Sequence, residues 1–115
     1  MTYQQASFKG KPTHECQDQA KSDIDTCLSC CVAELESFYI NNKELAPAPY
    51  FFERASAMLT KKKDWQRLIE MASRYLEAVE DYRENAPANS AQVWLSPKVE
   101  KIRARLENAL SNIQD

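Results

Sequence analysis

The chain has one glycine, Gly10, and one histidine, His14, in 115 residues. Sheets and tight hairpins draw on glycine for positive φ, so an all-β or dinucleotide-binding α/β architecture is excluded. No glycine-rich phosphate loop can be assembled, and a zinc-binding His-Glu-x-x-His pair needs a second histidine. A lone histidine also leaves a Ser-His-Asp triad without support elsewhere in the pattern. Nowhere do about 18 apolar residues run together, so no membrane span is expected. Strong charge of either sign is missing too: 15 Lys+Arg against 17 Asp+Glu give a net charge of −2, which points to no nucleic-acid or membrane partner. What is present is a 43% hydrophobic share, enough for one modest core in one domain.

The segment 1–12 has no apolar stretch of signal-peptide character and reads as a flexible leader, with a single helical domain over 13–115. A cytoplasmic location follows, in which Cys16, Cys27, Cys30 and Cys31 are reduced thiols.

The prolines Pro12, Pro47, Pro49, Pro87 and Pro97 stand at or beside the ends of apolar-periodic stretches, and about four antiparallel helices fit between them. The first starts at Thr13 or at Ser22 and ends near Asn41-Asn42. Ile24, Cys27, Leu28, Cys31, Leu35, Phe38 and Tyr39 form its apolar stripe, and Ser22 with Asp25 offers a capping box. The second, from Pro47 or Pro49 to about Lys61, buries Phe51, Phe52, Ala55, Met58 and Leu59. Asp64 caps the third, whose stripe runs from Trp65 through Leu68, Ala72, Tyr75 and Val79 to Tyr82. Glu77, Glu80, Asp81 and Glu84 crowd the last turns of that helix, the wrong sign for a helix C-terminus, and mark either a solvated face or an acidic contact surface. Residues 85–95 read as a loop, and Ser96-Pro97 starts the last helix, which buries Val99, Ile102, Leu106, Leu110 and Ile113.

The central stretch 49–82 resembles a tetratricopeptide-type hairpin. Phe52 stands where the family opens its first helix with an aromatic, Ser56 where two helices cross closely, and Lys63-Asp64-Trp65 where the second helix starts. Leu68, Ala72 and Tyr75 depart from the family's order of large and small residues. The resemblance implies an all-α up-and-down bundle around that hairpin and a groove that takes a peptide or helix. One hairpin cannot bury a repeat-style core alone, so the first and last helices, or a second chain, must cover it.

Three candidate groups carry the functional reading. Tyr50, Arg54 and Lys61 lie on the exposed side of the second helix, and Trp94 sits with Val93 and Leu95 in a polar loop; these are the expected partner contacts. His14, Cys16, Cys27 and Cys30 have residue types that complete a zinc tetrahedron if the chain folds back between 16 and 27, although Cys27 and Cys31 also fit the core as small hydrophobes. Cys30, toward the edge of the stripe, is expected to be the most reactive thiol. Lys61, Lys62, Lys63 and Arg67, with Lys98, Lys101, Arg103 and Arg105, lack interleaved exposed aromatics and read as solvated surface rather than a nucleic-acid face. No carboxylate arrangement is tuned for acid–base chemistry. The sequence therefore predicts a small, non-enzymatic, cytoplasmic protein-interaction module of adaptor, regulator or inhibitor type, with no cofactor and no small-molecule substrate. The alternatives are a zinc-stabilised module and a self-associating homodimer.

Overall fold

Phe8-Lys9-Gly10-Lys11 reverses the chain almost at its start. In the computed structural model, which describes residues 3–113, strands β1 (Ser7–Phe8) and β2 (Lys11–Pro12) pair antiparallel, Ser7 opposite Pro12 and Phe8 opposite Lys11. Lys9 and Gly10 both have positive φ, 52° and 79°, as a two-residue hairpin of the primed type demands. This corrects the leader assigned to 1–12: residues 3–12 are built into the fold, and residues 1–2 lie outside the described residues. The Gln4 backbone exchanges two hydrogen bonds with the Asn41 side chain, each 2.8 Å, and its carbonyl also accepts from Ser37 Oγ.

Five α-helices follow among the described residues. A 3-10 turn over Thr13–Cys16 leads into the short α1 (Gln17–Ala20), and α2 runs over Ile24–Ile40. Both starts anticipated for the first helix are thus used in part, with a break at 21–23. The cap is Asp23 rather than Ser22: its carboxylate accepts from the Asp25 N–H and from the Thr26 hydroxyl at 2.7 Å. At the other end Asn42 adopts positive φ and Lys43 N–H bonds back to the Phe38 carbonyl, a Schellman stop.

Helices α3 (Tyr50–Lys62) and α4 (Trp65–Asn85) are joined by the same device. Lys63 takes φ 56°, Asp64 N–H reaches the Leu59 carbonyl, and the Asp64 carboxylate caps α4 through the Arg67 N–H. A 3-10 turn over Val93–Leu95 precedes α5 (Pro97–Ile113), which Ser96 Oγ caps. No described helix is long and apolar enough to cross a membrane.

Helices α2 to α5 alternate in direction. α3 is central, touching α2, α4 and α5, while α5 fills the angle between α3 and α4. Phe52 stacks on Tyr75 with ring centroids 4.1 Å apart, and the Tyr75 hydroxyl donates to the Pro47 carbonyl, so this buried tyrosine is satisfied. Arg105 of α5 donates to the Glu53 carbonyl and to Ser56 Oγ, each 3.0 Å, and pins α5 to α3. The stripe of α5 departs from expectation. Val99, Ile102 and Ala109 are buried, whereas Leu110 and Ile113 are 37% and 48% exposed, because Ala109 occupies the inward position of that turn.

Candidate functional site

On the side of α3 away from α5, helices α2 and α4 run in the same direction and touch each other less extensively than either touches α3. Ion pairs bridge the two ends of the gap. Arg67 of α4 lies 3.7 Å from Asp25 at the start of α2, and Asp81 lies 3.5 Å from Lys43 just past its end, where the Tyr39 hydroxyl also reaches it. Between these bridges the outer face of α2 supplies an apolar floor and α4 a charged edge. The wider hollow, about 530 Å³, is formed by Val32, Leu35, Tyr39 and Ile40 with Glu36, Arg74 and Glu77 on the rim. A narrower one, about 160 Å³, continues toward Leu28 and Met71. Val32 is 50% exposed and Ile40 55%, and with Leu35 and Tyr39 they make a contiguous apolar surface of the kind that marks an interaction site.

The α4 wall follows from spacing. Arg67, Glu70, Arg74, Glu77 and Asp81 recur at intervals of three and four, which aligns them in one row along the helix. Opposite them, α2 is apolar over more than one face: Ile24, Cys27, Cys31 and Phe38 turn inward, and Val32, Tyr39 and Ile40 are left outside. That excess of apolar surface was the sequence signal for this groove, and treating Tyr39 as core concealed it.

The residues expected to contact a partner are not gathered into a groove. Arg54 directs Nε and Nη2 onto the Lys21 carbonyl, 2.9 and 2.6 Å away, tying α3 to the end of α1. Tyr50 packs edge-on against Phe51 and lies under the Lys98 ammonium. Trp94 is half-buried, tilted against Tyr82 with Arg83 over its ring. Lys61 is exposed in the last turn of α3, remote from Tyr50 at the start of the helix. Three of the four are engaged with the protein's own chain, Tyr50 and Arg54 because α3 has neighbours on several sides and Trp94 because its turn packs on α4.

The cysteines converge, but without the histidine. Cys16, Cys27, Cys30 and Cys31 are all buried free thiols where α1 and the 3-10 turn meet α2 and α3, while His14 is exposed beside Gln5. Among the described residues, no three His, Cys, Asp or Glu side chains are grouped so as to hold a metal ion. Cys27 donates its S–H to the Phe51 carbonyl at 3.3 Å. Burial, and then the neighbouring Cys16 and Cys27, pushes the Cys30 thiol up to about 12, and burial raises Cys31 as well. Cys30 is therefore a protonated core thiol and not the reactive edge residue expected, since the N-terminal turn and α1 cover the flank of α2 on which it lies.

A second, more polar hollow of about 360 Å³ lies between the N-terminal segment and the end of α2, where Thr13 donates to Glu34 beside His14 and Asn41. Its polar side chains are mostly engaged in holding the segment 3–13 in place.

No protein family, no curated protein and no solved structure matches the chain.

Proposed function

We propose that the protein is a non-enzymatic interaction module that receives a helix of another protein in the groove between α2 and α4. One observation carries this reading: among the described residues, ion pairs bridge α2 and α4 only at their ends, and between them the apolar outer face of α2 stands open beside the charged row of α4, with Val32 and Ile40 half exposed. Grooves of this kind accept the apolar face of an amphipathic helix. The resemblance of residues 49–82 to a tetratricopeptide hairpin adds a second reason, since such hairpins serve as scaffolds for docked peptides and helices. A reducing, cytoplasmic setting belongs to the same reading, with the four thiols as core side chains.

The test is site-resolved crosslinking. With p-benzoylphenylalanine in place of Val32, the reading expects a crosslink to a defined segment of one partner. That partner, once purified, should bind the native chain at least tenfold more tightly than it binds the pair Val32→Ser with Ile40→Ser. Equal affinity for both, or crosslinks formed from position 61 and not from position 32, would refute the groove.

A further inference from the structure

We infer that the groove selects a cationic helix, one whose apolar stripe is flanked by lysine or arginine. This rests on the groove being the docking site and adds the chemistry of its occupant. Each basic residue around the groove is already engaged by an acid of the same chain. Arg67 lies 2.6 Å from Asp64 and 3.7 Å from Asp25, Arg74 lies 3.4 Å from Glu70, and Lys43 lies 3.5 Å from Asp81. Glu36 on the α2 wall and Glu77 on the α4 wall are exposed and have no ion pair among the described residues. They flank the widest part of the apolar floor.

An apolar floor beneath two uncompensated carboxylates matches the anatomy of lysine and arginine, whose aliphatic stems lie on apolar surface while the charged heads reach its polar edge. A neutral or acidic helix would desolvate Glu36 and Glu77 with nothing in return. A second copy of this chain fits poorly as well. A two-fold axis along the groove would set the Glu36 and Glu77 rims of both copies against each other, and the whole chain carries a net charge of −2. The opening also sets a length. From Arg67 to Asp81 the α4 wall spans about 21 Å at the helical rise of roughly 1.5 Å per residue, room for about four turns of a partner.

Fluorescence anisotropy on the full chain tests this with two labelled 14-residue helical peptides of one pattern, leucine–lysine and leucine–glutamate. The leucine–lysine peptide should bind at least tenfold more tightly than the other. Glu36→Lys with Glu77→Lys should reverse that order, and the neutral pair Glu36→Gln with Glu77→Gln should abolish it; thermal melts verify that each variant folds. Equal binding of both peptides, or an order unchanged by charge reversal, overturns the cationic occupant. If that binding still falls with Val32→Ser and Ile40→Ser, the groove itself stands. Binding of the lysine peptide that ignores Val32 and Ile40 overturns both. A concentration-dependent dimer that dissociates on the same two substitutions makes a second copy the occupant and overturns the cationic partner.

Discussion

Asn41 shows how far one side chain can reach in this fold. It ends α2, and its amide both accepts from and donates to the Gln4 backbone, so a single buried residue fastens the N-terminal segment to the helix. Asn41→Ala leaves the Gln4 N–H without its partner and the Gln4 carbonyl with Ser37 Oγ alone, and should cost about 1–3 kcal/mol. Urea denaturation will measure that loss, and limited proteolysis should then cut first within residues 3–12. The thiols make a second prediction at this scale. A thiol held to about 12 in the folded state stays protonated where the unfolded chain, with an ordinary value near 8.5, has released its proton. The contribution is therefore fully present below about pH 8.5 and is lost as pH rises toward 12. Stability should fall from pH 8.5 to 10.5, by up to about 1.4 kcal/mol per pH unit for each such thiol, and the fall should be shallower in Cys30→Ala. Native protein at pH 7 should react with N-ethylmaleimide at none of the four cysteines, and unfolded protein at all of them; rapid labelling of Cys30 would contradict its burial. None of this was legible in residue type alone. Cys30 lies off the main stripe of α2, and only the packing of a turn from residues 13–16 onto that flank makes it core.

At the scale of elements, the helix ends are written locally and were readable as such. Asp64, Ser96-Pro97 and Asn41-Asn42 act where their capping chemistry placed them, and α4 carries the 3.6-residue period without interruption. Two local signals were missed. Lys-Gly at 9–10 is hairpin chemistry, hidden because the strands it joins are two residues each. Asp23, one residue past Ser22, takes the cap because its carboxylate reaches both Asp25 and Thr26. The α3–α4 turn makes its own prediction. Lys63 sits at φ 56°, where a β-carbon is strained and glycine is not. Lys63→Gly should raise stability by roughly 0.5–1 kcal/mol, a rise of a few degrees in the melting midpoint of a domain of this size. A fall instead would mean that the lysine side chain itself supports the turn.

For the whole molecule, the position of α3 decides which surfaces are free. Enclosed by α2, α4 and α5, it holds Tyr50 and Arg54 in contacts with the protein's own chain, and the sequence could not reveal this because Arg54 meets Lys21 across 33 positions and Arg105 meets Ser56 across 49. The all-α bundle was legible because periodicity and proline punctuation act within single elements. The groove was not, because it exists only once α2 and α4 lie side by side with ion pairs at each end. Its apolar half had left a trace in the surplus of large side chains on α2, and its acidic half in the carboxylates that crowd the end of α4. The most direct measurement is the change in backbone amide NMR signals when the leucine–lysine peptide is added to the full chain. The account predicts shifts concentrated at Val32, Leu35, Tyr39, Ile40, Arg74 and Glu77, with Tyr50, Arg54, Lys61 and Trp94 unmoved. Shifts centred on those last four residues, with the α2–α4 walls silent, would contradict it.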